Sequence, residues 1–306
     1  MSGGMSQPRL ILHNYGLSTF SEKIRRILAY KGLDYCHVET PMVMPKPELM
    51  RLTGGYRRIP VLQIGADIYC DTDLIARKLE EIQPEPPIYP AGRELEMRAI
   101  TELADRKAFF WAVQPTFADL LPDLPESFVA DRIAMSPVFS PDAVAANGDH
   151  ALDQFTLFLD WIERQLAGRS FLLGPQFTIA DAACFHVCNF TRNSQRVFTK
   201  VEERPALSDW LDRIAGFAEG EVTAISIEAA LDAAQESAPA GQGPTSAADP
   251  AVGKAVRIAP DDYATEHAEG TLTSLGTDTM TITRTDDRVG EIALHFPRLG
   301  FRLELI

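Results

Sequence analysis

Arg57-Arg58-Ile59-Pro60-Val61-Leu62 is the stretch whose reading decides the fold. Proline opens an apolar run here, and because it cannot donate a ladder hydrogen bond it suits only the first residue of a strand or an edge. The Ile59 N–H and C=O are then left outside the sheet. A cis Ile59-Pro60 bond, which this context predicts, turns the chain sharply and presents those two groups outward. A ligand with a peptide-like backbone can pair there. Farther on, Cys70-Asp71-Thr72-Asp73-Leu74-Ile75 reads as a strand end running into a helix start, which sets acidic and hydroxyl groups at the positive end of a helix dipole. Together the two stretches make a seat for a small zwitterionic peptide.

The same reasoning extends outward. Val61–Ile64 and Ile68–Cys70 flank Gly65-Ala66-Asp67 as a hairpin, and a helix from Thr72 to Ile82 carries Leu74, Ile75 and Leu79 on one face. Upstream, Leu10–His13 reads as a strand, followed by the loop Asn14-Tyr15-Gly16-Leu17. From Ser18 the period changes: Ile24, Ile27 and Leu28 recur at helical spacing, Ser18 or Ser21 supplies the cap, and Gly32 ends the helix. Tyr35–Val38 is a second strand, Pro41 to Pro47 a loop and Glu48 to Leu52 a short helix. The order is β-α-β-α-β-β-α.

Composition limits the function. A chain of 306 residues with 45% hydrophobic residues and a net charge of −14 can bury sizeable cores but has no general field for nucleic acid or an anionic membrane. Cys36, Cys70, Cys184 and Cys188 show no framework spacing, as befits a reducing compartment. The Gly/Ser-rich stretch from Met1 to Arg9 has no apolar core, so no signal peptide is expected, and no run approaches the ~20 apolar residues of a membrane span. A cytoplasmic protein is expected.

Residues 9–83 resemble the thioredoxin-like N-terminal domain of the glutathione transferase superfamily. The resemblance rests on Ser18-Thr19-Phe20-Ser21, on Arg58-Ile59-Pro60 where the family has its cis-proline, and on Asp71-Thr72 where it has an acid followed by serine. Thr53-Gly54-Gly55-Tyr56 departs from the Asn-Pro that often precedes this stretch in the family. The remainder fits as well. A proline-rich linker, Pro84 to Pro90, leads to a long amphipathic helix from Arg93 to Leu120, bent before Pro115. A second helix covers Asp149 to Leu166. Thr178-Ile179-Ala180-Asp181 reads as a capping box before an apolar helix, with Asp181 structural rather than catalytic, and Glu203–Trp210 resembles the family's proline-started late helix. The resemblance therefore implies an all-helical second domain over 91–236.

Ser237 to Gly253 reads as a linker. Beyond it Ala255–Ile258, Thr271–Thr273, Met280–Thr283, Glu291–Phe296 and Phe301–Leu305 have the period of strands. They predict a small β module over 253–306 that docks on the helical domain or on another subunit. It lies outside the ordinary transferase architecture and matches a branch of the superfamily with an added C-terminal region.

The resemblance implies an enzyme that uses glutathione as co-substrate and ionises its thiol for attack on a small apolar electrophile. A free thiol titrates near ~8.5. One charge-assisted hydroxyl hydrogen bond, about 1.5–3 kcal/mol, with a helix N-terminus lowers that by roughly one to two units. Ser18 stands where serine-type members carry the catalytic hydroxyl, and Tyr15, near the tyrosine-type position, is the competing candidate. By the same resemblance Ile59, beside Pro60, pairs with the cysteinyl backbone, Asp71 and Thr72 hold the γ-glutamyl end, and Arg58 reaches a carboxylate. Arg57-Arg58 read as an ordinary solvated pair otherwise. A homodimer is implied; metal is not, since no His/Glu spacing suggests it and His186 points away from Cys184 and Cys188. Phe109, Phe110, Trp111 and Phe117 cluster on the long helix that would wall the electrophile pocket, although aromatics at this spacing are more often core. The alternative is a non-catalytic protein of the same fold that binds a partner or senses a metabolite.

Overall fold

Proline 60 opens a strand as expected. In the computed structural model, which describes residues 9–240 and 249–306, the Ile59-Pro60 bond is cis and β3 (Val61–Ile64) follows it. Met1 to Pro8, and residues 241–248 of the expected linker, lie outside the described residues. β3 returns as antiparallel β4 (Asp67–Cys70) and on its other side pairs with β1 (Ile11–Asn14), which runs parallel to β2 (Tyr35–Glu39). The crossover between β1 and β2 is α1 (Thr19–Lys31), whose Ile24, Ile27 and Leu28 are buried. α2 (Pro47–Thr53) and α3 (Thr72–Ile82) complete the thioredoxin-like order, with Leu74, Ile75 and Leu79 on the buried face of α3.

The sheet continues past both sides of this unit. β5 (Val222–Ala224) runs parallel to β2, and the helix Ile227–Gln235 that follows it buries Ala230, Leu231 and Ala234. The tail supplies β6 (Ala255–Pro260), β7 (Ala268–Leu275), β8 (Thr279–Asp286), β9 (Gly290–Pro297) and β10 (Phe301–Leu305). Among the described residues the strands form one sheet in the order β10-β6-β7-β8-β9-β4-β3-β1-β2-β5. The tail was expected to dock on the helical domain or another subunit; it instead lays β9 parallel to β4, with Ile68 opposite Leu294 and Tyr69 opposite His295. The reason is the edge itself. Without β9, β4 presents a row of unpaired N–H and C=O groups.

Side chains seal the join. His295 Nε2 lies 2.7 Å from Asp67 Oδ1, its Nδ1 lies 3.0 Å from Thr281 Oγ1, and its ring stacks on Tyr69 with centroids 4.5 Å apart. Val61, Ile68 and Tyr56 share a buried cluster with Val256, Ile258, Leu272, Ile282, Leu294 and Phe296. Each such side chain contributes roughly 1.5–3 kcal/mol on burial, and the first sheet and the tail strands share this one cluster.

The chain divides into two units. The described residues of Met1–Ser21, Asp34–Ile82 and Gly220–Ile306 form the sheet unit, so residues 220–236, expected with the helices, are carried by the sheet. The other unit comprises Glu22–Leu33 and Gln83–Glu219. It contains α4 (Glu94–Leu103), a π-helical turn (Ala104–Ala108), α5 (Phe109–Leu120), α6 (Glu126–Met135), α7 (Pro141–Leu166), α8 (Ile179–Phe190), α9 (Gln195–Glu202) and α10 (Pro205–Ala215). The expected long helix is thus interrupted at the π-helical turn, and Pro115 sits inside α5. That turn carries Asp105, which bonds both the buried Lys23 Nζ at 2.6 Å and His186 Nε2 at 2.9 Å.

The capping box forms. Asp181 accepts from Thr178 N at 2.9 Å, from Leu172 N at 2.8 Å and from Trp210 Nε1 at 3.0 Å. These bonds tie α8, the preceding loop and α10 together, a structural use of a buried carboxylate. Among the described residues no helix is long and apolar enough to cross a membrane.

Candidate functional site

Three segments emerge at one end of the sheet because of strand register. His13 near the end of β1 faces Val61 at the start of β3, and Val61 faces Cys70 at the end of β4. Tyr15 and Ser18, then Ile59-Pro60, then Asp71-Thr72 therefore leave neighbouring strands at the same end.

The loop after β1 tightens at once: Ser18 N donates to Tyr15 O at 3.1 Å. Ser18 Oγ accepts from Ser21 N at 3.2 Å and caps α1. A hydroxyl has one donor and two acceptor sites, so this bond occupies a lone pair and leaves the Ser18 proton to be given elsewhere. Capping and thiolate stabilisation are thus compatible at one side chain. Ser21 was expected to cap; its backbone is capped instead, and its buried Oγ has no hydrogen-bond partner among the described residues. Tyr15 is buried, with Lys46 Nζ 5.7 Å from its ring centroid.

Pro60 stands between the two arginines and β3, and Ile59 makes no backbone hydrogen bond among the described residues. Asp71 bridges β4 and α3 at φ 78°, a left-handed conformation that a non-glycine residue holds only where its surroundings impose it. Its Oδ1 accepts from Asp73 N at 2.9 Å and its C=O from Ile75 N at 3.0 Å. The first turn of α3, with Thr72 buried, is thereby aimed at the same end of the sheet.

The loop between β6 and β7 brings residues that the sequence did not assign to the site. Arg57 Nη1 lies 2.8 Å from Glu266 Oε1, while Arg58 Nη2 donates to Asp262 Oδ1 and to Tyr263 O. The Arg58 guanidinium also lies 4.1 Å from the centroid of the Tyr263 ring. A carboxylate of the chain's own tail therefore occupies the arginine expected to reach a ligand carboxylate, and the expected solvated pair is an anchor for the tail. Burial pushes the Tyr263 phenol up to about 12; the Arg58 charge opposes this, whereas Asp262, Asp71 and Tyr15 add to it. Arg58 thus meets both the ring and the backbone carbonyl of Tyr263. Gly55 explains the departure from Asn-Pro: at φ 118°, a Cβ on it would stand 2.4 Å from His267 O. The available signal was the acid-rich Asp261-Asp262-Tyr263-Ala264-Thr265-Glu266, unmatched by any basic run nearby.

Other candidates stand apart. All four cysteines are free and buried, and burial pushes the Cys70, Cys184 and Cys188 thiols upward, away from the thiolate a nucleophile needs. Among the described residues no group of three or more His, Cys, Asp or Glu side chains is placed to hold a metal ion. Phe109 and Phe110 pack at 5.1 Å, and Phe117 meets Phe139 at 5.9 Å, within the helical unit.

Residues 12–87 match the family model for the glutathione S-transferase N-terminal domain, and residues 141–213 that for the glutathione S-transferase C-terminal domain. A GST-like protein from Pseudomonas syringae is 37% identical, with a TM-score of 0.81 over 98% of this chain and 100% of that one. The chain belongs to the glutathione transferase superfamily. Within it, a zeta-class glutathione S-transferase of Euphorbia esula is 37% identical over 90 residues, 28% of this chain and 39% of that protein, so the match spans well under half of that relative's length. A glutathione S-transferase from Rhodospirillum rubrum, 22% identical with a TM-score of 0.53, shares the fold over 68% of this chain and 88% of its own. The Pseudomonas protein matches nearly the whole of this transferase-family chain, tail included.

Proposed function

We propose that this chain is a serine-type glutathione transferase, cytoplasmic and homodimeric, that activates the glutathione thiol for attack on a small apolar electrophile. The observation that carries the reading is Ser18 at the N-cap of α1, where its Oγ accepts from Ser21 N and its proton remains to be donated. A thiolate seated there meets a hydroxyl donor and a helix N-terminus together, each favouring the charged form. Ile59 offers unpaired backbone to the cysteinyl unit, and Asp71 and Thr72 receive the γ-glutamyl ammonium and carboxylate. Tyr15, buried one turn of chain earlier, is the alternative hydroxyl.

A second reading is favoured by one observation: Asp262 and Tyr263 already occupy Arg58. On that reading the chain binds a metabolite or partner without turnover. Calorimetric titration with glutathione, on the parent and on Asp71→Ala, tests the first reading. Binding that Asp71→Ala weakens at least tenfold supports it, and absence of binding at millimolar glutathione overturns it.

A further inference from the structure

β10 ends the sheet, and its register fixes which backbone groups face outward. Ile306 N donates to Ala255 O at 3.1 Å and Asp261 N donates to Gly300 O at 3.0 Å. With Phe301 opposite Pro260 and Leu305 opposite Val256, the even-numbered residues of the strand exchange hydrogen bonds with β6. Phe301, Leu303 and Leu305 then turn their N–H and C=O groups the other way. Among the described residues no strand lies beyond them.

The side chains along this edge alternate. Phe301 and Leu303 pack on the sheet's buried cluster, whereas Arg302 and Glu304 are exposed. One strand in, Arg257 and His267 both reach Glu269, at 2.6 and 3.2 Å. Arg302 and Glu304 have no ion-pair partner among the described residues. At the ends of the same strand Leu299, Leu305 and Ile306 are 51%, 63% and 56% exposed. An open edge is a template for a further strand, and this one has apolar ends and carries Arg302 and Glu304, charges of opposite sign, on one face.

We propose that β10 pairs antiparallel with β10 of a second copy, about a two-fold axis at Leu303. Leu303 then faces Leu303 and Phe301 faces Leu305, so every outward N–H and C=O of the three residues finds a partner. Arg302 faces Glu304 twice, and the exposed Leu305 and Ile306 come to lie against Phe301 and Gly300 of the second copy. The contact is isologous, as a two-fold requires. Charges on edge strands ordinarily prevent association. Here they select a register instead: a slip of two residues one way sets Arg302 against Arg302, and the other way Glu304 against Glu304, which is unfavourable for charges directly opposite. This contact involves β10 alone and is separate from the homodimer that the transferase reading implies.

The test is sedimentation of the full chain with two charge reversals. Arg302→Glu places two carboxylates on the edge, and Glu304→Arg places two cations there. Each is expected to weaken self-association about tenfold or more, because two cross-strand pairs change sign. Mixed in equal amounts, the two variants are expected to associate with parental affinity, since every facing pair is then opposite in charge; this recovery also proves that both chains are folded. A parent that sediments as a single chain at its solubility limit overturns the proposal. So do variants that associate like the parent, as they would through any other face, and so does a mixture no tighter than its components.

Discussion

Replacing Ser18 by alanine separates its two roles. The structure gives Ser18 Oγ one capping bond, at 3.2 Å from Ser21 N, and a bond of that length puts the loss of the cap at about 0.5–1 kcal/mol. For a unit of this size that is a fall in Tm of roughly 2–4 °C per kcal/mol. The thiolate bond is the larger quantity. Loss of a charge-assisted hydrogen bond of about 1.5–3 kcal/mol raises the bound thiol by roughly one to two pKa units, at ~1.4 kcal/mol per unit. Turnover near neutral pH is then expected to fall about 10- to 100-fold, with glutathione affinity nearly unchanged. The assay is a kcat profile against pH beside a direct titration of bound thiolate by ultraviolet difference absorbance. In Ser18→Ala the acidic limb should move up by one to two units and the rate should recover at high pH. A variant with lowered Tm but an unmoved limb would refute the reasoning and leave Ser18 as a cap only. If Tyr15→Phe moves the limb instead, the thiolate partner is Tyr15.

Two further outcomes are expected. Burial lowers His13 to about 4, against the opposing hydrogen bond that its Nε2 donates to Gln63 Oε1 at 2.8 Å. Between its ordinary value near ~6.5 and about 4 the unfolded chain binds the extra proton, so stability is full above that window and falls as pH drops through it, by about 3 kcal/mol; denaturant midpoints of parent and His13→Gln across pH 4–7 should converge toward the acid end, and parallel curves would sink the assignment. Gly55→Ala introduces a Cβ 2.4 Å from His267 O at φ 118°, and is expected to cost roughly 1–3 kcal/mol, read as a lower Tm and faster proteolytic cutting near Asp261; unchanged cutting would show that the loop does not depend on this contact.

The first sheet and its site segments are legible in the sequence because they are local. Pro60 marks the start of β3, the Leu74, Ile75 and Leu79 spacing marks α3, and Thr178 with Asp181 marks the capping box. The tail strands are legible as strands for the same reason. Their place is not, since period two is the same whichever edge a strand joins, and a parallel pairing such as β4 with β9 leaves no turn residue between its members. Arg57 and Arg58 illustrate the same limit. Their partners Glu266 and Asp262 stand about two hundred residues away, and an ion pair across that interval has no periodic signature. β5 is not legible because all three of its residues are exposed, so it lacks the alternation that identifies a strand. The break at Ala104–Ala108 is not legible because a π-helical turn needs no proline, and Pro115 is the bend signal that the stretch carries.

The parallel seat of β9 on β4 also fixes an order of events during synthesis. Tyr69 is complete long before its partner His295, and at ~5–20 residues per second the intervening chain takes roughly 10–45 s to emerge. Within that interval the helical unit, complete at Glu219, can close, while the outer backbone of β4 waits without its ladder. A ribosome stalled before β9 would therefore release a chain with a finished helical half and a sheet that ends in an adhesive strand, so the last strands made decide whether the first ones are safe from aggregation.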